Sequence, residues 1–134
     1  MKEQTIYRYC VYTIRDTNDL DAISEKGSGS FKENKKWVEG SRLFNDAERQ
    51  EKKMPIVFSA AEKEEGLCYY AMLEKVEVDD SDANAPVTEY SFSGLTRLKG
   101  DLPKSTLIKK SNGEPLSNDY IRPYSICYTP DFIE

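Results

Sequence analysis

Seven side chains in this 134-residue chain have the types needed to hold a flat ligand. Trp37, Phe58, Tyr70 and Tyr124 offer ring faces, Arg42 and Arg122 offer guanidinium forks, and Ser59 offers a hydroxyl at the end of an apolar run. Aromatic faces stack on planar rings, and arginine pairs with phosphate through parallel N–H groups. These types suit binding more than reaction chemistry, and the chain contains no histidine, which leaves carboxylates, lysine or tyrosine as the groups open to catalysis. That absence removes Ser-His-Asp and Cys-His mechanisms, the commonest general base at neutral pH and the commonest metal ligand. No catalytic residue, metal site or cofactor is assigned, and the chain reads as leaning away from an enzyme. Cys10, Cys68 and Cys127 are far apart in sequence, which does not suit a zinc site. Each lies in an apolar or aromatic run and reads as a buried thiol of a reducing cytoplasm.

Each candidate also has a plainer role. Trp37 is either a pocket wall or a cap on the core. Arg42 is a phosphate contact or half of a surface ion pair. Ser59 donates to a ligand edge or is solvated at its strand end. Tyr69 and Tyr70 point to opposite faces of one strand, so at most one lines a given pocket. Arg122, between Ile121 and Pro123 and near Tyr120 and Tyr124, can stack on those rings or pair with an anion. Lys109 and Lys110 read as plain surface. Asp79, Asp80 and Asp82 are the tightest acidic cluster, and they read as solvated turn residues without the ligand spacing of a calcium loop.

The net charge of −5 argues against a protein that coats nucleic acid non-specifically. The charge is uneven. Residues 17–94 carry ten basic and seventeen acidic side chains, whereas residues 95–125 carry six basic and three acidic. A modest basic face on an acidic body fits a local phosphate contact, and it also fits an ordinary solvated surface. Charged residues make up 32% of the chain and hydrophobic ones 38%, the balance of a globular domain. No apolar run approaches the ~20 residues of a membrane span, and residues 1–10 lack the apolar stretch of a signal peptide. One cytoplasmic domain, residues 1–134, with no membrane association is expected.

The elements that must position these groups follow from pattern. Residues 5–15 read as a central strand rich in Tyr, Val, Ile and Thr. Asp16 or Thr17 can cap a short helix to about Lys26, with Leu20 and Ile23 on one face. Residues 27–36, GSGSFKENKK, read as a flexible loop anchored by Phe31. Asn45 and Glu48 form a capping-box pattern for a helix from about Asp46 to Lys53, which Pro55 stops. Strands are expected at Ile56–Ser59, Leu67–Val78 and Val87–Arg97, the last with a bulge or bend at Gly94. On the second of these, the odd-numbered face turns from apolar to charged near Lys75. Thr106–Lys109 reads as a short strand, Ser111-Asn112-Gly113 as a turn, Asn118–Ile121 as a helical turn and Tyr124–Tyr128 as a closing strand with Cys127 inside. The expected class is α+β. A small, mainly antiparallel curled sheet or β-barrel would have two or three short helices covering one side.

Residues 37–80 contain the string Trp37, Gly40, Arg42, Ala47, then Ile56-Val57-Phe58-Ser59, Gly66, and Tyr70–Val78 ending in Asp79. In this string the chain resembles the EVE domain of the PUA-like superfamily of small barrels. Phe58 replaces the histidine that often precedes the EVE serine, Met54-Pro55 replaces a Gly-Asp pair, and Trp37 to Gly40 is one residue longer. The resemblance implies a PUA-like barrel that binds a modified base flipped from DNA, or a modified nucleotide in RNA. In that reading Trp37, Arg42, Phe58, Ser59 and Tyr70 line the pocket. Two readings of other classes stand beside it. One is a protein-interaction or regulatory module, such as a homodimer through an edge strand, which suits the acidic body and nine tyrosines. The other is a small carboxylate hydrolase, which needs two acids brought together in a cleft.

Overall fold

A computed structural model describes residues 6–60, 67–82, 84–116 and 124–133. Six strands form one mixed sheet: β1 (Tyr9–Arg15), β2 (Gly29–Glu33), β3 (Pro55–Ala60), β4 (Leu67–Asp79), β5 (Val87–Leu102) and β6 (Tyr124–Tyr128). Two helices, α1 (Thr17–Ser24) and α2 (Val38–Arg49), interrupt the first three strands. The spatial order is β2-β5-β4-β3-β1-β6. Every neighbouring pair is antiparallel except β1 with β3, which run parallel across the crossover that contains both helices. The class is therefore α+β, as expected.

Closure into a barrel does not occur, because the edge strands β2 and β6 are not hydrogen-bonded to each other. The sheet nevertheless curls far enough for its two ends to touch through side chains. Arg15 at the end of β1 donates to Glu33 at the end of β2 at 2.9 Å. Trp37, just beyond β2, lies against Tyr124 of β6. Long strands with bulges permit this curl. On β5, the pairing jumps between Met72↔Ser93 and Tyr70↔Thr96, which leaves one extra β5 residue beside Gly94. Gly94 takes φ +69°, the left-handed conformation of such a bulge. On β4 Tyr69, Ala71 and Leu73 face one apolar layer, and then a register shift before Lys75 turns Val76 to the same layer. This is the expected change of face, produced by an irregularity in the ladder.

Alternation sorts the strands onto two apolar layers. The larger layer, on the helix side, contains Val11, Leu20, Trp37, Leu43, Phe44, Ala47, Ile56, Phe58, Tyr69, Tyr90 and Phe92. The smaller contains Cys10, Tyr12, Val57, Leu67, Leu107, Leu116, Cys127 and Ile133. Cys10 and Cys127 are fully buried, and Cys68 is half-buried against the carbonyl of Phe58.

Three expectations need correction. First, residues 27–36 are not all loop, because Gly29–Glu33 form β2. Phe31 holds that strand by packing on Phe58, Tyr90 and Phe92, partners remote in sequence. A Cβ at Gly29 would lie 2.8 Å from the Ile23 Cδ1 of α1, so the end of that side chain would have to shift. Second, α2 begins at Val38, not near Asp46, because Gly40, Leu43, Phe44 and Ala47 form one buried stripe at helical spacing. It ends at Arg49, before Pro55. Lys52 N–H donates to the Ala47 carbonyl and Glu51 N–H to the Glu48 carbonyl around Glu51 at φ +59°, a Schellman arrangement with a non-glycine residue in the glycine position. Third, 106–109 is not a strand: Lys104–Thr106 is a 3₁₀ turn, followed by single bridges of Ile108 to Pro115 and Lys109 to Cys127. The turn at 111–113 is present, with Glu114 N–H donating to Asn112 Oδ1. The 118–121 turn and Arg122 lie outside the described residues.

Candidate functional site

Trp37 is the joint of the curled sheet. It is 1% exposed and lies between Tyr90 and Tyr124, each ring centroid 4.7 Å away and within 16° of parallel. The turn that delivers it is fixed by Thr88: Trp37 N–H donates to the Thr88 hydroxyl, which donates to the Lys35 carbonyl at 2.6 Å. Trp37 is also the N-cap residue of α2, and its side chain caps nothing. One of the orphan N–H groups of that helix end, on Gly40, instead donates to the Tyr124 hydroxyl at 2.7 Å. Burial pushes the Tyr124 hydroxyl up to about 12 against the opposing pull of that N–H. Tyr124 therefore caps α2 across the gap between the sheet edges.

The other sequence candidates separate. Phe58 belongs to the same layer as Trp37, but Ser59 faces the opposite layer and shares a 3.0 Å hydrogen bond with the Tyr12 hydroxyl. The sheet thus stands between Trp37 and Ser59. Tyr70 is half-buried against Phe132, 5.9 Å between centroids. Arg42 is exposed and grips Glu39 through contacts of 2.8 and 2.9 Å. The acidic turn closes on itself: Asp79 accepts from the Ser81 N–H and hydroxyl, Asp82 accepts from Asn84 N–H, and Asp80 meets Lys36.

What the sequence reading passed over is a row of rings that climbs out of the core along β1 and β6. Tyr7 is buried and donates to Asp46 of α2, and burial with that carboxylate pushes its hydroxyl up to about 12. Tyr9, its edge-on neighbour at 5.8 Å, is half-buried. Tyr128, paired with Tyr9 across the ladder, lies 5.4 Å from it and is 43% exposed. Two cations sit over Tyr9: Arg8 at 5.1 Å and Lys110 at 5.2 Å. Lys110 also pairs with Glu39 at 3.3 Å, and Arg42 and then Lys110 hold that carboxyl below its usual value. Tyr128 also lines a hollow of about 330 Å³, together with Thr106, Ile108, Thr129, Pro130, Asp131 and Phe132. A second hollow of about 260 Å³ lies beside Phe44, Leu73, Glu48 and Glu74. A sequence signal existed in the alternation of Tyr7, Tyr9 and the YSICY strand, but only the β1–β6 register places Tyr128 beside Tyr9.

No family model matches this chain, and no curated protein is significantly similar to it. No helix among the described residues is long and apolar enough to cross a membrane.

Proposed function

We propose that this protein is a non-enzymatic module that binds a nucleotide or unpaired nucleic acid at the β1–β6 edge. The observation that supports this is Tyr128, an exposed residue that lines an open hollow and whose ring lies 5.4 Å from Tyr9, the ring over which the cations Arg8 and Lys110 sit. A base entering the hollow stacks on Tyr128, an interaction of about 1–3 kcal/mol per base that every base can make. Arg8 and Lys110 then meet the adjoining phosphate, a contact that positions the strand without reading its sequence. The PUA-like resemblance of residues 37–80 supports the same ligand class. In this reading Trp37, Phe58 and Tyr124 act indirectly, by holding the curled sheet that carries β6. Recognition of a modified base would fall to the walls of the hollow, where Thr106, Thr129 and Asp131 supply the polar groups.

The test is anisotropy of a labelled single-stranded oligonucleotide at low salt, with wild type and Tyr128→Ala. Saturable binding weakened about tenfold or more by the substitution is expected. Equal binding by both would place the site elsewhere. A second reading, a homodimer through an edge strand, draws on β2, which pairs only with β5 among the described residues. Sedimentation that shows a concentration-independent monomer would remove it.

A further inference from the structure

We propose that Cys10 and Cys127 are a redox pair that closes into a reversible cross-strand disulfide. They are direct partners in the antiparallel β1–β6 ladder. Thr129 N–H donates to the Arg8 carbonyl two residues earlier, so the alternation makes Cys10 and Cys127 a hydrogen-bonded pair. Such pairs hold their Cα atoms about 5.5 Å apart, inside the ~4.4–6.8 Å span of disulfides. Both side chains enter the same apolar layer, and both are fully buried. Cys68 packs against the other layer and donates to the Phe58 carbonyl, so it does not compete.

The surroundings determine how the pair would react. The layer is otherwise built from Tyr12, Val57, Leu67, Leu107, Leu116 and Ile133, which keeps oxidant out of the closed protein. β6 is an edge strand, backed among the described residues only by the short 108–110 segment, so its local opening is the route of entry. With a peroxide as oxidant, one thiol sulfur takes an oxygen atom and becomes a sulfenic acid, and the rest of the peroxide leaves as water. The second thiol then displaces that hydroxyl as a further water and forms the S–S bond. Two electrons pass from the two sulfurs to the peroxide. The hydrogen-bonded position sets the Cβ atoms at ~4.5–5.5 Å, wider than the ~3.8 Å a disulfide prefers. Closing the bond must therefore twist the ladder, and a strained disulfide is readily reduced. The twist falls on the strand that carries Tyr124 and Tyr128, which places the pair where it can change the candidate binding edge. The chemistry of the pair itself does not depend on that edge having a ligand.

The experiment treats the full chain with hydrogen peroxide in sub-denaturing urea, blocks the remaining thiols by alkylation, and maps non-reduced peptides by mass spectrometry. The expected product is a monomer lighter by two hydrogens, with Cys10 and Cys127 in one linked peptide and Cys68 alkylated. Reduced glutathione added before the alkylation step leaves all three cysteines to be alkylated, and Cys68→Ser gives the same linkage. A linkage that involves Cys68, or alkylation of all three cysteines after a treatment that oxidises methionine, would overturn the proposal.

Discussion

Replacing Trp37 with alanine tests whether the triple stack is the joint that holds the curled sheet. Trp37 is 1% exposed and stacks on two rings at 4.7 Å. Truncating a buried tryptophan costs about 3–5 kcal/mol, and each lost aromatic pair contributes about 0.5–1.5 kcal/mol beyond area. Part of the second figure is contained in the first, so a loss of about 4–5 kcal/mol is expected. That is a large share of the ~5–15 kcal/mol of a typical domain. Urea unfolding followed by far-UV circular dichroism reads it, since the substitution removes the sole tryptophan. With a slope of about 1.5 kcal/mol per molar, the midpoint falls by roughly 3 M. Trp37→Phe keeps one smaller ring in the slot and should lose about half as much. A loss below about 1.5 kcal/mol for Trp37→Ala would refute the reasoning, because it would place the ring at the periphery.

Tyr90→Phe is expected to stabilise the fold by about 1 kcal/mol in the same assay, because the buried Tyr90 hydroxyl finds no hydrogen-bond partner among the described residues. Glu51→Gly is expected to stabilise by about 0.5–1 kcal/mol, because it relieves the left-handed conformation at the end of α2; a loss of stability would mean that the Schellman turn is misassigned. Stability should fall as pH rises through the alkaline range. Burial raises the Tyr7 and Tyr124 hydroxyls from 10.0, and the Cys127 thiol from 9.0, to about 12 in the fold. The folded state thus prefers the protonated forms. Their contribution is complete below pH 9 and is lost as pH climbs through about 12; unfolding midpoints measured along that range check it.

The parts of this fold that follow local rules could be read from the sequence. The long β4 strand, the bulge at Gly94, the start of β3 at Pro55 and the turn at Gly113 all rest on alternation, proline or glycine within a few residues. What escaped was set by partners far along the chain. β2 looks like a loop until Phe31 meets Phe58, Tyr90 and Phe92. α2 has no local cap, because its cap is the hydroxyl of Tyr124, 84 residues away from Gly40. The candidate site divides in the same way. Trp37 and Tyr124 were legible only as separate ring candidates; in the fold they stack on each other, and Tyr90 fills the remaining face of the indole. Ser59 follows Phe58 by one residue and so turns to the other layer, which strand alternation already required. The exposed edge at Tyr128 depends on which strand lies beside β1, and no local pattern carries that.

Ultraviolet cross-linking of the protein to a uniformly photoreactive single-stranded oligonucleotide, with the attached peptides identified by mass spectrometry, tests the proposed binding edge most directly. The account predicts attachment within Arg8–Cys10 and Cys127–Phe132, with the yield reduced in Tyr128→Ala and at raised salt. Attachment confined to α1, β2 or the 79–82 turn, or none at saturating oligonucleotide and low salt, would contradict it.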